Sequence, residues 1–202
     1  MGGMVVVREV TPDDWNVLRD VRLAALREAP YAFGSTYARE AAFTEENWLG
    51  RINERSVTFF AYLPEVPEPA GLAGVYVEEV VADVVSVWVR PPARGNGVGE
   101  ALISATADWA KSRRHGALFL WVTESNPSAR KLYERCGFAL TGERQPLPSD
   151  PTLTEIRMRR PLLSRRPVSR GATRRCAELG THPPVRGCPD ISVVAAGKTA
   201  GC

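Results

Sequence analysis

Val84-Val85-Ser86-Val87-Trp88-Val89-Arg90-Pro91-Pro92-Ala93-Arg94-Gly95-Asn96-Gly97-Val98-Gly99-Glu100 leaves an apolar strand, turns through three glycines and enters a helix. The valines leave little polar alternation, so this strand belongs inside a sheet covered on both faces. Pro91 and Pro92 end it, because proline lacks the N–H a ladder needs. Glycines allow positive φ and close backbone approach. Amides at a helix start aim at an anion, and the helix dipole adds favourable potential. Arg94 supplies a positive charge able to fork onto phosphate. The physical reading is a pyrophosphate site over Arg94, Gly95, Asn96, Gly97, Val98, Gly99 and Glu100. A glycine-rich turn with no ligand is the bland alternative. A P-loop is excluded, because no Gly-Lys-Ser/Thr ends the turn. The dinucleotide fingerprint is excluded as well, since the spacing is Gly-x-Gly-x-Gly.

The flanking sequence gives the order of elements. Met4–Val10 reads as a first strand, and helical spacing runs through Trp15, Leu18, Arg22, Ala25 and Leu26 to Glu28. Thr11-Pro12-Asp13-Asp14 suits the start of that helix, and Pro30 stops it. Thr44-Glu45-Glu46 opens a second helix carrying Trp48, Leu49 and Ile52. Val57–Leu63, Leu72–Val77 and Asp83–Val89 read as strands two to four. A long helix over Gly97–Arg114 leads to a fifth strand, Ala117–Thr123. A short helix, Ser125–Cys136, closes on Gly137, and Phe138–Glu143 and Leu153–Arg159 form two last strands around a Pro-rich loop. The segment from Asp83 to Val122 is strand–helix–strand, so its two strands are expected to be parallel with a right-handed crossover. The remaining pairs read as antiparallel, which makes a mixed α+β domain.

Two motifs together resemble the GNAT superfamily of N-acetyltransferases. Arg94-x-x-Gly97-x-Gly99 matches its acyl-CoA signature, Gln/Arg-x-x-Gly-x-Gly/Ala, after a similar Val89-Arg90-Pro91 context. Downstream, Asn126-x-x-Ala129-x-x-x-Tyr133-x-x-x-Gly137-Phe138 is similar to a second family pattern. The resemblance covers residues 4 to about 160. It implies a mostly antiparallel sheet with helices on both faces and a splayed central parallel pair. It also implies acetyl transfer from acetyl-CoA, as co-substrate, to a primary amine of a small molecule or of a protein or peptide by direct attack. Backbone groups of Val87, Trp88 and Val89 would receive the acetyl carbonyl, and Asn126 the pantetheine arm. Asn126 also reads as a helix cap. Tyr133 stands where the family places its general acid, although a packed aromatic would look the same. Asp83 stands where relatives often carry a Glu, which makes it the candidate general base through a water. Glu78, Glu79 and Glu124 are its rivals.

The acceptor side is less determined. Phe33 and Tyr37, in the aromatic connector after the first helix, are acceptor-wall candidates or core residues. Asp150 reads as a solvated loop acid. Glu28 and Glu40 could draw a cationic amine, but solvated helix charges are the usual case. Two histidines, His115 and His182, leave little material for histidine-centred catalysis or a metal site, and none is expected. The cysteines form no Cys-x-x-Cys pair and fit a reduced, cytoplasmic setting. No run approaches the roughly 20 apolar residues of a membrane helix.

The 202 residues carry 26 basic and 23 acidic side chains. The excess of base lies beyond residue 160, where no aromatic occurs. We therefore expect a GNAT-like domain over residues 1–160 and a disordered Arg/Gly/Pro-rich tail over 161–202. A homodimer is compatible with this reading. Two other functions remain open from the sequence: an acyl-CoA-binding sensor or interaction module that no longer transfers, and nucleic-acid binding through the tail.

Overall fold

The computed structural model describes residues 4–162. The tail expected over 161–202 lies outside the described residues from 163 onward. Seven strands make one sheet: β1 (Val6–Glu9), β2 (Ser56–Tyr62), β3 (Gly71–Glu78), β4 (Val81–Val89), β5 (Ala117–Thr123), β6 (Ala139–Leu147) and β7 (Asp150–Pro161). Their order is β1-β2-β3-β4-β5-β7-β6. Every neighbouring pair is antiparallel except β4–β5, at the centre. This is the mixed sheet expected from the strand–helix–strand segment.

Helices cover both faces. On one, α1 (Trp15–Glu28) buries Leu18, Val21, Ala25 and Leu26 against Phe60, Leu72 and Trp88, and Trp48 of α3 (Glu45–Leu49) completes that layer. On the other, α4 (Val98–Ser112) buries Val98, Leu102, Ile103, Ala107 and Ala110 against Val75, Ala82, Val84 and Leu118. Each fully buried Leu or Ile contributes about 1.5–3 kcal/mol by leaving water. Tyr133 and Phe138 join the α4 layer from α5 (Pro127–Arg135) and the turn after it, where Gly137 takes φ 86°.

Two elements depart from the sequence expectation. The connector after Pro30 contains a short helix, α2 (Tyr37–Ala41), because Thr36 accepts a hydrogen bond from the Arg39 amide and caps it. The Pro-rich loop is narrower than expected: β6 and β7 continue to pair through Arg144↔Ile156, Gln145↔Glu155 and Pro146↔Thr154. Strand β6 is the sheet edge, so Pro146 withholds an N–H at little cost.

β3 approaches the end of β4 closely at Gly71. An added Cβ there would lie 2.5 Å from the Trp88 carbonyl oxygen and 3.2 Å from Leu102 Cδ1. The first obstacle is backbone and cannot rotate away. Gly71→Ala is expected to cost about 1–3 kcal/mol, the usual penalty of overpacking. A thermal midpoint within one degree of the parent would refute this.

Candidate active site

The centre of the sheet opens. β4 and β5 pair only at Ala82↔Leu118 and Asp83↔Phe119. From Val84 to Val89 the side of β4 that faces β5 has no strand partner, so its backbone groups are left for something else. A β-bulge contributes to the divergence. Leu72 faces Trp88 and Gly74 faces Val85, so Ser86 and Val87 together oppose Ala73. Bulged strands bend and twist more strongly. The bulge also reverses the side-chain alternation. Val84 packs in the α4 layer, and after the bulge so do Val87 and Val89, whereas Trp88 turns into the α1 layer. The Trp88 backbone pairs with Leu72 of β3 and its carbonyl oxygen lies against Gly71, while its ring is structural and its Nε1 donates to Glu28 Oε2 at 3.0 Å.

The glycine turn stands at the open end of β4. Gly95 and Gly97 take φ 82° and 76°, and a Cβ on either would meet nothing within 4 Å, so both face open space. Gly97 is the N-cap of α4, and no side chain bonds into that cap. The first intrahelical acceptor is the Gly97 carbonyl, which takes the Ala101 N–H, so the N–H groups of Val98, Gly99 and Glu100 lack helical partners. This arrangement suits an anionic group. Gly99 has a packing reason as well: a Cβ there would lie 2.8 Å from Leu132 Cδ2 of α5. Glu100 accepts from Arg135 Nη2 at 2.6 Å, which lowers its pKa and ties α4 to α5. The Asn96 side chain folds back on the turn, donating to the carbonyls of Ala93 and Arg94.

Arg94 is engaged within the protein. Its Nη2 donates to Glu28 Oε2 at 2.7 Å and its Nε to the Val89 carbonyl at 3.0 Å. Burial pushes the Glu28 carboxyl up, but the Trp88 and Arg94 hydrogen bonds outweigh that and hold it below its ordinary value. Glu28 is thus an Arg94 partner, not a free helix charge. Any phosphate reached by Arg94 competes with it.

Asp83 and Tyr133 lie on opposite faces of the sheet. The neighbours of Asp83 in β4, Ala82 and Val84, belong to the α4 layer, so Asp83 projects to the other face. It is 6% exposed, and its Oδ1 is buried without a hydrogen bond. Arg157 Nη2 lies 3.6 Å away, an ion-pair contact too long to satisfy that atom. Burial pushes the Asp83 pKa up, Arg157 opposes this, and Glu78 and Glu143 add to the rise. Tyr133 lies in the α4 layer with its ring edge-on to Phe138 at 6.0 Å. No hydrogen bond to its hydroxyl is present among the described residues, and burial drives its pKa well above 10. Asn126 caps α5 through its side-chain oxygen, which accepts from the Ala129 amide at 3.1 Å. Only its side-chain N–H groups are left for a ligand.

The rivals of Asp83 are less buried. Glu78 ends β3 opposite Val81, close enough to raise the Asp83 pKa, Glu79 is in the turn after it, and Glu124 is exposed and bonded to Arg144 at 2.6 Å. One carboxylate escaped the sequence reading. Glu155 of β7 is 7% exposed, lies opposite Thr123 at the open end of β5, and accepts from Gln145 Nε2 at 2.6 Å. Burial pushes its pKa up. The available signal was the polar alternation Glu155-x-Arg157-x-Arg159 inside a strand.

The connector after α1 is fastened over this end of the sheet. Thr123 Oγ1 donates to the Tyr31 carbonyl at 2.7 Å, and Ser149 Oγ to the Phe33 carbonyl at 2.5 Å. Phe33 is buried with the Arg22 guanidinium 4.6 Å above its ring. Tyr37 accepts from Arg27 at 2.6 Å through its hydroxyl. Asp150 bonds Thr152 within its own turn. Glu40, expected to be solvated, is 1% exposed and bonded to Arg22 and Arg51. Burial pushes it up, yet the Arg22 hydrogen bonds and the two guanidinium charges hold it at about 2. It cannot draw an amine, because its charge is already matched. Among the described residues no group of three or more His, Cys, Asp or Glu is arranged to hold a metal, and no helix is long and apolar enough to cross a membrane.

Known proteins share this architecture. Over 135 residues the chain is 30% identical to a mycothiol acetyltransferase of Rhodococcus erythropolis, covering 62% of this chain and 43% of that protein. Over 59 residues it is 41% identical to the streptothricin acetyltransferase of Streptomyces lavendulae, covering 29% of this chain and 31% of that protein. The matches thus span less than half of these curated relatives. The crystal structure of the ribosomal-protein-S18-alanine N-acetyltransferase from Escherichia coli superposes with a TM-score of 0.60 at 20% identity. That match covers 82% of this chain and 99% of the other, and it shows a common fold. Residues 19–138 match the family model described as the acetyltransferase (GNAT) family. With the opened β4–β5 pair and the glycine turn at its mouth, this match establishes that the chain belongs to the GNAT family of acetyltransferases.

Proposed function

We propose that the chain transfers an acetyl group from acetyl-CoA to a primary amine by direct attack. The observation that carries this reading is the loss of β4–β5 pairing after Asp83 and Phe119, with α4 amides that lack helical partners at the same end. A thioester carbonyl laid in that gap meets backbone donors of β4, which strengthen as its oxygen gains negative charge. The donor's pyrophosphate takes the amides of Gly97–Glu100, and the Asn126 side-chain N–H groups reach the arm.

The amine nitrogen forms the new C–N bond as the C–S bond breaks. An ammonium has no lone pair, so a proton must leave first. Asp83 takes it through a water on the face opposite Tyr133. Its raised pKa makes it a better base than an exposed carboxylate. The leaving sulfur takes a proton from Tyr133, whose hydroxyl stays protonated because burial disfavours the phenolate.

The relatives' names point to two acceptor classes worth testing, an antibiotic amine and the N-terminus of a ribosomal protein. Calorimetry with acetyl-CoA is expected to show binding. Thiol release is then expected with at least one member of a panel of antibiotic amines, polyamines, amino acids and peptide N-termini. Absence of binding would overturn the reading. Binding without release across the panel would favour a module that holds acyl-CoA and does not transfer it.

A further inference from the structure

We propose that Arg22, clamped by Glu40, is a positioning residue: it holds the β4 bulge in the form that turns the amides of Val87 and Val89, and not that of Trp88, into the gap. The inference rests on the acetyl-CoA reading above.

Four non-glycine residues among those described have positive φ. Glu65, Glu79 and Arg114 lie in turns, while Ser86, at φ 58°, lies inside a strand. An L residue is disfavoured there because its Cβ crowds the next carbonyl. Such a conformation persists only where the surroundings over-determine it. The surroundings of Ser86 include one fixed donor. Arg22 Nη1 reaches Ser86 Oγ at 3.3 Å. The rest of that guanidinium is committed: Nε donates to Glu40 Oε2 at 3.0 Å and Nη2 to Oε1 at 2.8 Å. Arg51 Nη1 holds the same carboxylate at 2.8 Å, and the Phe33 ring stacks on the guanidinium. Arg22 and Glu40 are 5% and 1% exposed. Nη1 is therefore presented at one place.

Stability is a poor reason for this cluster, because desolvating two charges offsets most of their attraction. Geometry is a better one. The network joins α1, α2 and the turn after α3 to a single strand position, and that position is the bulge. The bulge reverses the alternation that follows, sending Trp88 into the α1 layer and Val87 and Val89 into the α4 layer. It begins three residues beyond Asp83, the last β4 residue paired with β5. A β4 without the bulge would present different backbone groups to the gap. The Arg22–Ser86 contact thus reaches the chemistry through the backbone, and neither side chain needs to touch substrate.

The test uses acetyl-CoA labelled with carbon-13 at the carbonyl. The infrared stretch of the bound thioester reports hydrogen bonding to that oxygen without any acceptor. Single-turnover transfer to hydroxylamine, whose nitrogen takes the acetyl group as CoA leaves as the thiol, gives the rate. Ser86→Ala keeps the Cβ and loses the acceptor of Arg22. It is expected to reduce the carbonyl shift and slow transfer about tenfold, with acetyl-CoA affinity within about twofold. Ser86→Gly adopts positive φ unaided and is expected to keep both the shift and the rate. The Arg22→Met, Glu40→Gln pair, which removes both buried charges and leaves only Arg51, whose side chain is 32% exposed, should match Ser86→Ala in the parent and lose nothing further beside Ser86→Gly. Parent-like shift and rate in Ser86→Ala would overturn the proposal. Equal loss in Ser86→Gly and Ser86→Ala would overturn it too, by making the hydroxyl itself the working group. Undiminished loss from the Arg22, Glu40 pair beside Ser86→Gly would show that the network acts elsewhere. If no band of bound acetyl-CoA forms in the parent, the donor reading falls, and this inference falls with it.

Discussion

Tyr133→Phe is expected to lower the single-turnover rate of acetyl transfer by about 10²–10⁴, the range of a lost general acid. Affinity for acetyl-CoA and the thermal midpoint should stay close to those of the parent. The separation follows from the surroundings of the hydroxyl. The residue is 7% exposed and its hydroxyl has no hydrogen-bond partner among the described residues, so removing the hydroxyl strands no other group. The ring keeps its edge contact with Phe138 and its place in the α4 layer. A structural tyrosine with a bonded hydroxyl would respond in the opposite way, losing stability and keeping rate. Measuring the chemical step in a single turnover avoids masking by product release. A parent-like rate would remove Tyr133 from the reaction.

Asp83→Asn is expected to reduce kcat/KM by about 10²–10⁴ and to raise the thermal midpoint at neutral pH. Activity requires the carboxylate, so the parent's kcat/KM should rise with pH through the raised Asp83 pKa and level off above it. The Asn variant should lack that limb. The stability sign follows from the same shift. The folded-state pKa lies above the ordinary 3.8, so the unfolded chain releases this proton first as pH rises. Stability is fully present below the unfolded value and is lost as pH climbs through the folded one. Near pH 7 the charged, unbonded Asp83 Oδ1 is a liability, and the neutral amide relieves it. Arg157 keeps Glu143 at 3.1 Å when Asp83 loses its charge. A gain of about 1 kcal/mol would appear as roughly 2–4 °C in a domain of this size. Glu155→Gln serves as the control. Should it abolish the limb while Asp83→Asn leaves it, the base is Glu155.

Much of the site was legible in the sequence because its parts are local. Gly95, Gly97 and Gly99 lie within a few residues of a strand end and a helix start, so spacing alone describes the turn. Asn126, Ala129 and Tyr133 follow helical periodicity on α5, and Asn126 signals its cap. Glu40 was misread for the opposite reason. A glutamate on a short polar helix reads as solvated, and nothing nearby in sequence names Arg22 and Arg51 as its partners. Arg94 reads as a free charge for a phosphate. Its partner Glu28 lies 66 residues away and is reached only when α1 packs beside the end of β4. Glu155 lies in an expected strand, but its partner Gln145 falls in the Pro-rich loop, which looks too broken to pair and yet sits on an edge strand that tolerates proline.

The sequence by itself determined the strand–turn–helix at Val84–Glu100, the parallel crossover to Ala117–Thr123 and the expectation of an anion-binding glycine turn. These depend on apolar patterning, proline breaks and glycine conformation, all of which act over a few residues. Tertiary structure alone decided where β4 leaves β5, because register and bulges are set by what two strands and the layers above them can pack together. It also decided that Ser86 holds a left-handed backbone under the Arg22–Glu40 clamp, and that Asp83 and Tyr133 lie on opposite faces of the sheet. Sequence distance says nothing of such meetings, since the groups concerned come from α1, α2, β4 and α5 and converge only when both faces of the sheet are covered.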